Sequence, residues 1–186
     1  MTRRVFDALF RPLVLACGLL CAFSVVPHVS ASPFGEGVFG AHVPFGSLTS
    51  LTIALGGNVS LALAPSGSTF VGSGSHTITV TSTDVVGYSL YIYSAGSTNM
   101  TNGTDVVPAS GNGSAGALAT NTWGYNTDGS SNYLGITTHP VLLKTATGPY
   151  ESGDNTTVTY GVVTDITKTA GDYTTTVTYT AVALTD

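Results

Sequence analysis

Residues 173–184 read Tyr-Thr-Thr-Thr-Val-Thr-Tyr-Thr-Ala-Val-Ala-Leu, directly after the turn residues Ala170, Gly171 and Asp172. In an extended chain Tyr173, Thr175, Val177, Tyr179, Ala181 and Ala183 share one side, and Thr174, Thr176, Thr178 and Thr180 share the other. A period of two built from β-branched and aromatic residues fits a long antiparallel strand with one face buried, and no helix. Upstream, Thr157-Val158-Thr159-Tyr160-Gly161-Val162 repeats the pattern. The two stretches are expected to pair as a hairpin, because the residues joining them include Gly171 with Asp165 and Asp172.

The rest of the chain supplies more of the same. Leu51, Ile53 and Leu55 alternate with Thr52 and Ala54, and Val59, Leu61 and Leu63 alternate with Ser60 and Ala62. Gly56-Gly57-Asn58 between them marks a hairpin or a cornered strand, closed by Ala64-Pro65-Ser66-Gly67. Residues 76–82 and 88–93 read as strands that pair as neighbours. Residues 94–132 are dominated by Gly, Ser, Thr and Asn, with apolar islands at 105–108 and 117–119. So long a loop is unusual in a compact domain, and one or two short strands are expected within it. Short apolar pieces follow at 133–136 and 141–143. No apolar series at helical spacing is long enough to build a helix. The expectation is an all-β fold, an antiparallel β-sandwich of roughly seven to nine strands with immunoglobulin-like or jelly-roll connections. Its inward rows would hold Leu51, Ile53, Leu61, Ile78, Val80, Leu90, Ile92, Val158, Tyr160, Val177 and Tyr179.

The N-terminal region has a different character. Arg3, Arg4 and Arg11 precede an apolar run from Leu13 to Val26, and Val29-Ser30-Ala31 ends in small residues. These are the three parts of a secretory signal peptide over residues 1–31, cleaved after Ala31. The run is shorter than a bilayer span needs, so no membrane insertion is expected after cleavage. Residues 32–47 contain Pro-Phe-Gly at 33–35 and again at 44–46, with Phe39 between, and read as a flexible Gly/Pro/Phe leader that docks on the domain or on a neighbouring subunit. Residues 48–186 form the single sandwich domain. Both cysteines, Cys17 and Cys21, leave with the signal, so the exported chain relies on packing and sheet hydrogen bonds. It keeps Lys144 and Lys168 against nine carboxylates, which excludes the basic patch that nucleic acid or an anionic bilayer surface requires.

Three segments carry a resemblance: Val86-Gly87-Tyr88-Ser89-Leu90, Asn121-Thr122-Trp123-Gly124-Tyr125, and Ala170-Gly171-Asp172-Tyr173 leading into Val177-Thr178-Tyr179-Thr180-Ala181. In this order the chain resembles small exported bacterial surface proteins described as pilin-like or adhesin-like, with broader similarity to WxL-type cell-surface domains. The resemblance implies an extracytoplasmic β-sandwich acting in surface structure or attachment, and it brings no catalytic residues. Gly124-Tyr125 follows the only tryptophan in place of the Trp-x-Leu signature, a departure that removes support for peptidoglycan anchoring by that route.

A search for chemistry finds little. Gly72-Ser73-Gly74-Ser75-His76 is not followed by a helical pattern, so it is no hydrolase elbow. His42, His76 and His139 stand apart without zinc-ligand spacing, and His76 reads as the end of a strand. Catalytic residues, metal and cofactor are therefore all expected to be absent. Asn126-Thr127-Asp128-Gly129-Ser130-Ser131-Asn132 places oxygen-bearing side chains around a glycine in the manner of calcium loops, but it lacks a closing bidentate Glu, and its residue types favour an Asx-rich turn that caps its own backbone. The candidate ligand-binding set is Trp123, Tyr125, Asn126, Asp128, Asn132 and Tyr133, whose rings and amides suit a sugar or a polar partner loop. Trp123 has a competing role as a plug between two sheets. Two functions follow. One is a secreted cell-surface structural or attachment protein that self-assembles through strand or leader exchange. The other is a non-catalytic carbohydrate-binding module using the loop around Trp123. The partners left open are the chain itself or a host or cell-surface glycan or protein.

Overall fold

The computed structural model describes residues 49–185. The expected signal peptide and leader lie outside the described residues. Among the described residues there are ten strands: β1 (Ser50–Leu55), β2 (Ala64–Ser66), β3 (Thr69–Thr83), β4 (Gly87–Tyr93), β5 (Met100–Asn102), β6 (Asp105–Val107), β7 (Thr122–Asn126), β8 (Val141–Thr147), β9 (Tyr150–Asp165) and β10 (Thr178–Leu184). No helix occurs among the described residues, and every strand pairing is antiparallel.

One sheet has the order β1-β3-β9-β7 with β2 also paired to β3, the other has the order β10-β4-β8, and β5 and β6 form a separate hairpin. The two larger sheets face each other as a β-sandwich. Its core holds Ile78 and Val80 from β3, Tyr88, Leu90 and Ile92 from β4, Trp123 and Tyr125 from β7, and Val158, Tyr160 and Val162 from β9. Of the expected inward rows, Leu51, Leu61, Val177 and Tyr179 pack partly buried against this core. Ile53 does not, since β1 is an edge strand and leaves it 39% exposed.

Two expected pairings are not formed. β3 and β4 lie in opposite sheets: the chain leaves β3 at Asp84, whose φ of 56° turns it out of the sheet, so that two apolar rows meet face to face. Nor do β9 and β10 form a hairpin. β9 is flanked by β3 on one side and β7 on the other, which leaves no edge free along Thr159–Val163, and the chain crosses to pair β10 with β4. The closing strand also starts at Thr178, whereas the alternation begins at Tyr173.

Residues 59–63 read as a strand yet join no ladder among the described residues. β1 pairs with β3 from Ser50↔Thr83 to Leu55↔Ile78, and β2 resumes at Ala64↔Val71, so eight residues of this side face six of β3. The surplus is taken up as an inward detour over β3. Gly72 and Gly74 make room for it: a Cβ on Gly72 would stand 2.8 Å from the Ala62 carbonyl oxygen, and one on Gly74 would stand 2.9 Å from that of Ser60. A glycine pair also shapes the outer face of this sheet. Gly124 and Gly161 are cross-strand partners, and the Tyr133 ring lies on Gly161 where any side chain would collide with it.

Candidate functional site

The detour opens a cleft of about 1180 Å³ at one end of the sandwich. Its walls are residues 55–63 on one side and the connection from Thr164 to Val177 on the other, and Phe70, His76, Trp123, Tyr160 and Tyr179 reach its floor. Two sequence features produce it. Gly72 and Gly74 on the inner row of β3 leave no bulk beneath residues 60–62, and the long β9–β10 connection must pass from one sheet to the other. Leu55, Leu63 and Ile166 stand at the rim and are 53%, 47% and 83% exposed. Large apolar side chains clustered in the open at the mouth of a cleft mark a binding surface better than scattered ones do.

A chain of ring polar groups crosses the floor. His76 Nδ1 lies 3.0 Å from the Gly57 carbonyl oxygen, and its Nε2 lies 2.8 Å from the Tyr179 hydroxyl, which is in turn hydrogen-bonded to the Tyr160 hydroxyl. The contact with Gly57 ties the start of the detour to β3. Burial pushes the Tyr160 phenol up to about 12 despite its bond to Tyr179. The Tyr179 phenol is raised further, by burial first and then by its neighbour Tyr160. Both are therefore neutral hydroxyls at physiological pH, suited to positioning and hydrogen bonding.

The opposite wall is fastened by one carboxylate. Asp105, at the start of β6, accepts bonds from the Thr169 backbone N–H at 3.0 Å, the Tyr173 hydroxyl at 2.8 Å and Lys168 Nζ at 3.2 Å. Lys168 Nζ also donates to the Val106 carbonyl at 2.7 Å. The bonds from Thr169, then that from Tyr173, hold the Asp105 carboxyl well below the usual carboxylate range. A fully satisfied carboxylate of this kind fixes a loop and is not poised for proton transfer.

The residues singled out in the sequence are not gathered into one site. Trp123 and Tyr125 point inward from β7, fully buried, and Trp123 Nε1 donates to the Thr98 carbonyl at 2.9 Å. Trp123 is a plug between the sheets that touches only the floor of the cleft. Tyr133 lies on the opposite face of the same sheet, over Gly161. Asn126 is buried and spends its amide on the Ser130 and Asn132 carbonyls at 2.8 and 3.1 Å, while its oxygen accepts the Gly129 N–H at 3.1 Å. Asp128 accepts the Ser130 N–H at 3.0 Å, a bond that lowers its carboxyl. Residues 126–132 thus form a self-bonded Asx turn, with Asp128 and Asn132 exposed on it. Among the described residues no group of three or more His, Cys, Asp or Glu side chains is placed to hold a metal ion.

His76 sits in the middle of β3 and not at a strand end. The signal that would have placed it is the alternation Phe70, Gly72, Gly74, His76, Ile78, Val80, one unbroken inner row in which the glycines mark a close approach. Comparison with protein-family models, with curated proteins and with solved structures gives no match to this chain, so its reading rests on the cleft and the fold alone.

Proposed function

We propose that this chain is a secreted bacterial cell-surface protein with a structural or attachment role, and that it attaches by taking an extended peptide segment into the cleft. The observation that carries the reading is residues 58–63. They are extended in sequence pattern, line the cleft along its length, and engage no backbone hydrogen-bonding partner among the described residues. A strand-forming stretch without a ladder offers a row of N–H and C=O groups to an added strand, and the apolar rim offers pockets for alternate side chains. The β-sandwich fold and the sparse, acidic charge of the exported chain support a surface setting. Light scattering on residues 32–186 over a concentration series tests the reading. Assembly that rises with concentration and is lost in Leu63→Glu/Ile166→Glu is the expected result. Undiminished assembly and attachment in that variant would remove the cleft from the function.

A further inference from the structure

We infer that the segment the cleft takes is residues 37–43 of a second copy of this chain, so that copies join head to tail. The inference rests on the reading of the cleft as a peptide acceptor. Gly37-Val38-Phe39-Gly40-Ala41-His42-Val43 lies between Pro33 and Pro44 and carries no formal charge. Extended, it presents Phe39, Ala41 and Val43 on one side, with Val38, Gly40 and His42 on the other. Phe39 offers an aromatic anchor with apolar neighbours for a cleft whose rim is Leu55, Leu63 and Ile166, with Phe70 on its floor. Pro44 cannot extend the ladder, which bounds the segment at that end. The alternation lies outside the described structure and was hidden by the flanking Gly and Pro.

Direction selects a second copy. Thr49 is held at the end of the sandwich opposite the cleft, with its Oγ1 donating to the Asp84 carbonyl at 3.3 Å. β1 then runs from Ser50 beside Thr83 to Leu55 beside Ile78, where the cleft begins. The start of β1 at Ser50 therefore lies about 20 Å from the cleft of the same copy, at about 3.3 Å per strand residue. Reaching it would need a full reversal and a return along β1. Continuing outward brings Phe39, ten residues before Thr49, up to about 35 Å beyond the domain. A site at one end and its complement at the other make a heterologous contact, which propagates as an open filament.

The experiment mixes two broken copies of the exported chain, residues 32–186. Phe39→Asp spoils the segment and keeps the cleft; Leu63→Glu/Ile166→Glu spoils the cleft and keeps the segment. Leu63 and Ile166 lie outside the buried core, and Leu63→Ser/Ile166→Ser serves if the charged pair fails to fold. Each variant alone is expected to stay monomeric where the unmodified chain assembles, and an equimolar mixture to give a species of twice the monomer mass and nothing larger. A mixture that stays monomeric overturns the inference, as does an unmodified chain that is monomeric at every concentration. Assembly blocked by the cleft variant and not by Phe39→Asp overturns the occupant and leaves the cleft reading standing. Assembly blocked by neither overturns both.

Discussion

Gly161→Ala is the substitution whose cost the structure predicts most sharply. Gly161 sits in the middle of β9 opposite Gly124, and an added methyl would occupy the place of the Tyr133 ring. Overpacking of this kind costs about 1–3 kcal/mol. In a strand without that ring above it, the same change should be favourable by roughly 0.5 kcal/mol, since alanine loses less conformational freedom than glycine. The prediction is therefore a cycle. Gly161→Ala should destabilise the unmodified chain by about 1–3 kcal/mol and have little or no cost in a Tyr133→Ala background, a coupling of roughly 1.5 kcal/mol or more. Urea unfolding followed by the emission of Trp123, the one tryptophan, reads both backgrounds, provided the slope with denaturant stays constant. An equal penalty in both backgrounds would refute the placement of Tyr133 on Gly161.

Four further outcomes follow from the same geometry. Trp123 emission should be blue-shifted, resist acrylamide, and stay unchanged on adding soluble glycans, whereas quenching by a sugar would return Trp123 to the surface. Val158→Asp places a charge in the core and should cost several kcal/mol, roughly 3 or more, against about 0.5 for Thr157→Asp on the outer face, measured by chemical denaturation. Burial raises the Asp154 carboxyl, but bonds from Lys144 Nζ and the Tyr88 hydroxyl, both at 2.7 Å, outweigh it and leave the group lowered. Its folded pKa lies below its unfolded one, so its stabilisation is present at neutral pH and lost as pH falls through the carboxylate range; Asp154→Asn should flatten the decline in stability on acidification. At the other extreme Tyr160 and Tyr179 ionise later in the folded state than in the unfolded one. Stability should fall as pH rises from about 10, the ordinary phenol value, towards about 12, and a phenolate titration should show these two groups ionising together with unfolding.

What could be read from the sequence was what period two governs. The alternation in residues 76–82, 88–93 and 157–162 gave the strands and the buried rows, because each side chain's face depends only on its neighbours two positions away. Pairing partners could not be read that way. Whether β9 meets β10 or β7 depends on which edges other strands occupy, and β3 and β7 occupy both edges of β9 along Thr159–Val163. Trp123, Tyr125 and Tyr133 looked like one cluster because they are close in sequence. The strand sends the first two inward, and the loop returns the third to the outer face. The cleft was hidden for a different reason: residues 59–63 have a strand's alternation, and nothing local shows that the two-residue surplus against β3 lifts them out of the ladder.

The cleft as an acceptor of an extended segment is the central claim, and hydrogen exchange at the amides of residues 58–63 tests it most directly. In dilute, monomeric protein these amides should exchange nearly as fast as those of an open loop, since no backbone partner among the described residues engages them. At concentrations where residues 32–186 are proposed to assemble, they should become protected to a degree approaching that of β3, with no comparable change at the edge strand β8. Amides that stay unprotected in the assembled protein, or that are already protected in the monomer, would contradict the account.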